Sequence, residues 1–470
     1  MFRTLVRACV GLTIVGLVGA SLSVSAGASA RTAQQGVTDD EIQVIALVAD
    51  LDGLRSKGLI SAPKLTTGNL LKRWQGYADA YGPINGRKVV VKGVTWDPLD
   101  TTTFDKACIQ ATQDNKPFVI VNGNGFRPSA VSCITVDNKT PVMLGDPMYN
   151  ALFQASGDNL FGLLPPSDAI APATANVVAK QQLIPKTAKI GILSGNEPGI
   201  KAGGDALEAS LKKNGLNPVS KVEVNINSAD AAIMNRESGA AVATFKAAGV
   251  DTVFVAIPFT SSQGYFQEVN RSNAGFKSFV LDGSSSMCTI FAASRIPLDA
   301  AGIPCLTTAD TRAVSTKDGV KKDTAAEAKC RTVFDKTFTE TSQPGVPSGD
   351  IVTPTGTYVE DFASNECQIM NLLLPAIEKA GKKLTWAKVA KNLKSSSGPA
   401  IYASGGEGSY TAKKHYFNDN VHLVTLAAAN AQTAKDANGL FNGCPAPVNC
   451  WIPQLIDGEE WFSMESGKAA

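Results

Sequence analysis

Apolar positions in this chain switch between two periods. The segment 42–49 (IQVIALVA) is an almost unbroken apolar run set between Asp40 and Asp50. A strand with one wet face alternates apolar and polar residues, so a run this continuous reads as a strand covered on both faces. Positions 66–81 (TTGNLLKRWQGYADAY) carry apolar residues at helical spacing and stop at Gly82-Pro83, a combination that ends helices. An Asn85-Gly86 turn leads into a strand over 88–95, then a helix over 102–115 and short apolar strands over 118–121 and 141–144. The stretch 131–137 fits neither period cleanly.

The pattern then restarts. Helical spacing over 168–182, 201–214, 240–248 and 263–270 alternates with strands over 188–193, 221–224, 251–256 and 277–281. Past Cys288 the chain predicts helices over 324–339, 357–380 and 385–393, a surface loop rich in Pro, Gly and Ser over 342–354, and a late strand over 421–428. Strands alternating with helices predict an α/β fold with doubly wound parallel sheets. At 470 residues the chain exceeds what one core usually serves, so two lobes are expected.

The first thirty residues stand outside this pattern. Arg3 and Arg7 precede an apolar run over 8–24, and Ala28-Ser29-Ala30 fits a signal peptidase site. Residues 1–30 therefore read as a signal peptide. A membrane anchor is the competing reading, but the run is short and Gly-rich and no basic flank follows it. Cys9 precedes the apolar core, the wrong order for a lipid-modified cysteine, so the expectation is export to a periplasm or the exterior without an anchor at Cys9. Removing 1–30 takes two arginines from the 44 Lys+Arg, leaving 42 against 42 Asp+Glu. That balance gives no electrostatic footprint for nucleic acid, and no basic run is interleaved with aromatics.

Nine cysteines less Cys9 leave Cys108, Cys133, Cys288, Cys305, Cys330, Cys367, Cys444 and Cys450. An even number in an exported chain reads as disulfides. Nearest-neighbour pairing joins Cys108 to Cys133, Cys288 to Cys305, Cys330 to Cys367, and Cys444 to Cys450. Metal binding is the rival, but the chain has no C-x2-C and only two histidines, His415 and His422. No metal and no cofactor are expected.

Four stretches together carry a resemblance: GVTDDEIQVIALVADL after the leader, INGRKVVVKGVTWD as second strand, AKIGILSG opening a second unit, and AAGVDTVFVAIPFTSSQGYFQEV within it. With the helical TYVEDFASNECQIMNLLLPAIEKAG that follows, the chain resembles the type I periplasmic-binding-protein fold, within the branched-chain amino-acid/amide group of ABC-importer substrate-binding proteins. The resemblance implies two lobes joined by three crossings, 37–160 with 285–415 and 161–284 with 416–470. It places a ligand between them and implies an ABC transporter permease as partner and a monomeric receptor. A Cys108–Cys133 disulfide is similar to one found in this group, and three further pairs exceed its usual count.

Candidate ligand contacts lie in the loops at the carboxyl ends of strands. Asp50 ends the first strand. The loop Asn122-Gly123-Asn124-Gly125-Phe126 can aim backbone N–H groups at a carboxylate or carbonyl oxygen, or form a plain tight turn. It is not a phosphate loop, since Pro128 stands where the third glycine of G-x-G-x-x-G belongs. Gly145 and Asp146 end the next strand; Asp146 either meets a ligand ammonium or amide, or caps the following helix. Trp96, Phe126 and Tyr149 offer stacking faces or fill core. In the second unit Glu197, Phe259 and Asp282 follow strands, the two acids as amine partners or as solvated loop residues. The group's amino-acid receptors carry Ser and Thr hydroxyls where this chain has Asn-Gly-Asn-Gly and Gly-Asp-Pro, so an amide, a hydroxylated compound or an aromatic acid is as consistent as an amino acid.

A secreted hydrolase is the enzymatic rival. The G-x-S-x-G elbow and the H-E-x-x-H motif are both absent. The sequence therefore points to a non-enzymatic solute receptor, with a ligand-sensing subunit of a membrane signalling receptor as the alternative.

Overall fold

The computed structural model describes residues 34–57, 66–98, 100, 102–123, 125–226, 231–282, 288, 302–308, 325–337, 351–352, 358–359, 364–401, 407–427, 432–435, 441–443 and 450–469. The expected leader, Asn124, Cys444 and most of the loop over 342–354 lie outside these residues.

The opening strand β1 (Glu41–Ala49) is buried from both sides. Ile42, Val44, Ala46 and Val48 enter one core cluster, while Ile45 and Leu47 enter another, as the two-residue period of a strand requires. After a short helix α1 (Leu51–Ser56), α2 (Thr67–Tyr81) packs Trp74, Tyr77 and Ala78 on the first of these faces. Its ends follow from the sequence: the Thr66 hydroxyl accepts the N–H of Asn69 at 3.0 Å, and Gly82 closes the last turn. Strand β2 (Lys88–Trp96) lies parallel to β1. Helix α3 (Thr102–Ile109) runs on into a wider turn over Gln110–Asp114 and covers the opposite face.

Strands β3 (Val119–Asn122), β4 (Val142–Leu144) and β5 (Leu160–Gly162) complete a five-stranded parallel sheet ordered β2-β1-β3-β4-β5. The ambiguous stretch 131–137 is helical: α4 (Pro128–Ser132) continues through Cys133–Asp137, and Ala130, Val131 and Ile134 pack on the sheet. Helix α5 (Asn150–Ser156) was not predicted. The later helices Ser364–Ala380 and Trp386–Leu393 return to the face occupied by α2.

The second unit repeats this plan. Helix α6 (Ser167–Lys180) precedes β6 (Ile190–Gly195), α7 (Pro198–Lys213), β7 (Pro218–Val224), α8 (Ala231–Ala247), β8 (Thr252–Val255), α9 (Phe259–Arg271) and β9 (Lys277–Asp282). Helices α6 and α7 cover one face and α8 and α9 the other. Strand β10 (Pro304–Thr307) joins β9 in parallel. It falls within 285–415, the segment expected in the first lobe, yet it belongs to the second sheet; with four apolar or small residues and no flanking period, nothing local marks its partner. The sheet then turns antiparallel: β15 (Asn420–Ala427) pairs with β10, and both β18 (Cys450–Pro453) and β19 (Trp461–Ser463) pair with β15. Among the described residues three two-stranded ribbons lie between, β11 (Ile351–Val352) with β12 (Tyr358–Val359), β13 (Ser397–Pro399) with β14 (Glu407–Ser409), and β16 (Gln432–Lys435) with β17 (Phe441–Gly443).

Disulfides join Cys108 to Cys133, Cys288 to Cys305, and Cys330 to Cys367, three of the nearest-neighbour pairs. The fourth expected pair includes Cys444 and lies outside the described residues. Among the described residues no helix is long and apolar enough to cross a membrane.

Candidate functional site

The second sheet contains the order β7-β6-β8-β9-β10, which is β2-β1-β3-β4-β5 over again. In each case the winding reverses beside the first strand, between β1 and β3 and between β6 and β8. Connections there leave toward opposite faces and open a crevice beyond the strands' carboxyl ends. The loops that follow β1, β3 and β4 on one side, and β6 and β8 on the other, are therefore the places to look.

The glycine loop after β3 is held by the chain itself. Asp146 accepts the N–H groups of Gly125 at 2.7 Å and Phe126 at 3.0 Å through its two carboxylate oxygens. The sequence reading offered these N–H groups to a ligand and Asp146 to a ligand cation or a helix cap. Instead each satisfies the other. The cap at α5 is supplied from elsewhere, because the Asp168 carboxylate takes the N–H of Asn150 at 2.9 Å. Asp146 retains partial exposure as a residue. Its carboxyl group is nonetheless enclosed enough that burial pushes it up to about 6, against the pull of the two N–H groups.

Around this clamp sits an aromatic cluster. The Trp96 ring lies 4.8 Å from Phe104 and 5.8 Å from Phe126, and Phe104 lies 5.4 Å from Phe126, centroid to centroid. All three are buried in the core between the sheet and α3. Trp96 and Phe126 therefore pack, and the indole N–H of Trp96 has no acceptor among the described residues. Gly125 has φ +84°, and a Cβ there would stand 2.9 Å from the Trp96 ring, so a side chain is excluded on both counts. The guanidinium of Arg127 lies over the Phe104 ring, 5.1 Å from its centroid.

Gly145 is placed by close approach. Its N–H donates to the Asn122 carbonyl at 3.0 Å, and a Cβ would lie 1.9 Å from the Gly123 carbonyl oxygen. That oxygen accepts the side-chain amide of Asn365 at 2.8 Å. Beside it, Glu366 pairs with Arg73 of α2 at 3.7 Å, both side chains at most a tenth exposed. Sequence reasoning missed Arg73, Asn365 and Glu366. The available signal was a polar residue inside the apolar stripe of α2 and two polar residues opening an otherwise apolar helix face.

In the second unit, Glu197 is the N-cap of α7 and is half-buried. Burial raises its carboxyl above the usual range, and the positive charge of Arg127 opposes that rise. Two residues on, Gly199 packs against Tyr149, where a Cβ would lie 3.3 Å from the ring, and its carbonyl accepts the Ser167 hydroxyl at 2.5 Å. Gly125, Phe126, Gly145 and Asp146 are thus brought together, and Tyr149 is set against Gly199, two residues after Glu197. Two other candidates are spent on structure. Asp50 caps α1 by accepting the N–H of Gly53 at 3.0 Å. Asp282 is buried and accepts the Cys288 N–H at 2.9 Å and the Thr307 hydroxyl at 3.2 Å. Phe259 opens α9, and its side chain lies outside what is described.

Among the described residues no cluster of His, Cys, Asp and Glu could hold a metal ion. Both histidines are built into packing, His415 stacked on Phe161 and His422 on Trp461.

A model of the periplasmic binding protein family matches residues 71–432. A search of curated proteins found no match. Among solved structures, the fold is similar to a leucine-, isoleucine-, valine-, threonine- and alanine-binding protein from Brucella ovis, with TM-score 0.60 and 14% identity over 92% of this chain and 97% of that one. It is similar to a solute binding protein of an ABC transporter from Rhodopseudomonas palustris HaA2 in complex with p-hydroxybenzoic acid, with TM-score 0.59 and 15% identity over 90% and 98%. A third is an ABC transporter substrate-binding protein from Desulfitobacterium hafniense in complex with Leu, with TM-score 0.52 and 14% identity over 82% and 97%. Identities this low speak for the fold, and the family match carries the assignment: this chain belongs to the type I periplasmic binding protein family.

Proposed function

We propose that this protein is an exported, non-enzymatic receptor that traps a small polar solute between two lobes and delivers it to an ABC importer. The observation that carries this reading is the doubled strand order, which gives each sheet its own switch-point crevice. A seam where Tyr149 meets Gly199 supports their facing one another. Lobe closure would enclose the solute and present a shape the permease recognises. The pairing of β10 moves the proposed division, so that the second lobe keeps 302–308 and the first resumes at the helix Ala325–Thr337.

The solute class runs from amino acids and amides to small organic acids, the range that includes the leucine and p-hydroxybenzoic acid held by the structural relatives. The receptor acts as a monomer, with no cofactor and no lipid on Cys9. Native mass spectrometry of the mature protein from its own host, followed by a thermal shift with any molecule found, tests this. A solute that returns unchanged and stabilises the protein supports the reading; saturation at 100 times Kd contributes about 2.7 kcal/mol. A molecule that returns chemically altered would make it an enzyme.

A further inference from the structure

The C-terminal strand leaves the second sheet and comes back to it. Strand β18 pairs with Val424–Ala427 of β15, and β19 pairs with Asn420–His422 along the same edge, both antiparallel. Between them residues 454–460 loop out, turning between Ile456 and Glu459, and the chain re-enters beside His422. Side chains mark the point of re-entry. His422 is fully buried, and its Nδ1 lies 3.5 Å from a carboxylate oxygen of the buried Glu460. Its ring stacks on Trp461 with the centroids 4.0 Å apart. On the opposite edge of β15, Thr307 is the partner of His422, and the Thr307 hydroxyl donates to Asp282. Among the described residues, Glu460 from β19 and Asp282 beyond Thr307 are the charged groups that these contacts bring to His422. Just past re-entry, the Met464 N–H donates to the Asp419 carbonyl at 3.0 Å. That carbonyl belongs to the segment by which the chain passes from the first sheet, where the Phe417 N–H meets the Gly162 carbonyl at 3.0 Å, to β15 of the second.

We propose that His422 and Glu460 form a proton-operated clasp, which fastens the C-terminal strand β19 beside the crossing segment and tightens toward acid while Glu460 stays ionised. A bare ring nitrogen and a carboxylate would repel one another, so the Nδ1 that faces Glu460 carries a proton. The ring can then take a second proton on Nε2. Burial resists that charge, whereas the Glu460 carboxylate, the face of the Trp461 indole and Asp282 beyond Thr307 favour it. Two of these three, Glu460 and Trp461, belong to the strand being fastened and leave with it. The fastened form therefore holds the second proton more tightly than the released form. Linkage then makes the clasp firmer as pH falls and slacker as that proton is lost.

The test has two arms on the full mature chain and needs no ligand. The chain has only two histidines, so the variant His415→Gln assigns the imidazole nitrogen NMR signals of His422. Over about pH 5 to 9, wild type is expected to keep a proton on Nδ1 throughout and to gain one on Nε2 toward the acid end. A bare Nδ1, or a ring that never takes the second proton while the chain is folded, overturns the clasp. The second arm follows amide hydrogen exchange at Trp461, Phe462 and Ser463, with the amides of β6 in the same sheet as reference at each pH. Protection of β19 relative to β6 is expected to rise about tenfold as the second proton binds, the equivalent of one pKa unit. Glu460→Gln keeps an acceptor for Nδ1 and removes the charge, so its relative protection is expected to stay flat. The same pH dependence in wild type and Glu460→Gln, or none in either, overturns the proposal. The first arm leaves Glu460 untouched and decides the matter alone where that variant does not fold.

Discussion

Replacing Asp146 by Asn removes the charge, keeps the shape and turns one of its two acceptor atoms into a donor, a cost that does not vary with pH. The carboxyl group rises from 3.8 to about 6 on folding, because burial outweighs two N–H donors. Two units correspond to roughly 3 kcal/mol, and the partial exposure of the residue reduces this to about 1–2 kcal/mol. The sign follows from which state holds the proton. The folded chain binds it more tightly than the unfolded chain, so the linked stability is fully present below about pH 4 and is lost as pH rises through about 6. Urea unfolding of wild type and Asp146→Asn at pH 7, 6, 5 and 4.5 reads it directly. Wild type is expected to gain about 1–2 kcal/mol relative to the variant between pH 7 and 4.5, whatever other carboxylates contribute to both. Asp146→Ala serves as a control: it orphans the N–H groups of Gly125 and Phe126 and is expected to cost about 1–2 kcal/mol at pH 7. Parallel curves for wild type and Asp146→Asn across this window would refute the enclosed-carboxylate account.

Gly145→Ala sets a Cβ against the Gly123 carbonyl, backbone against backbone, and is expected to cost at least about 3 kcal/mol; chemical denaturation that finds it within about 0.5 kcal/mol of wild type would show that the β3 and β4 loops separate freely. Removing the Cys330–Cys367 disulfide as paired alanines opens a link across 37 residues, and the chain-entropy estimate is about 4 kcal/mol. The Cys288–Cys305 link spans 17 residues, for about 3 kcal/mol. Unfolding midpoints should fall in that order, and a reversed order would argue against the entropic account.

The sequence was most legible where one local rule decided the outcome. The unbroken run in β1 required cover on both faces, and the structure supplies α2 on one side and α3 and α4 on the other. Thr66 and Gly82-Pro83 framed α2 to within a residue. Legibility failed where the partner is distant. Nothing near Pro304–Thr307 announces that it will complete the second sheet. The loop after β3 looked like a ligand nest because its N–H groups were visible in the sequence and their acceptor, twenty positions away, was not. Arg127 was overlooked for a related reason. An arginine after a glycine loop is unremarkable in the sequence, and its seat on Phe104 shows only in the fold.

The late strands have a further consequence for how this chain is made. The helix Ser364–Ala380 packs on the first sheet, yet it lies between β10 and β15, which pair with each other in the second. Neither half of the molecule is a continuous piece of chain. During synthesis the edge of β10 must wait for β15, more than a hundred residues later, and an exposed strand edge invites pairing with other chains. No single cut would yield two self-sufficient fragments, and a chain halted before β15 can complete the first half while it leaves the second sheet open at β10. The two halves therefore finish in sequence, the second one last, with the β10 edge open until β15 arrives.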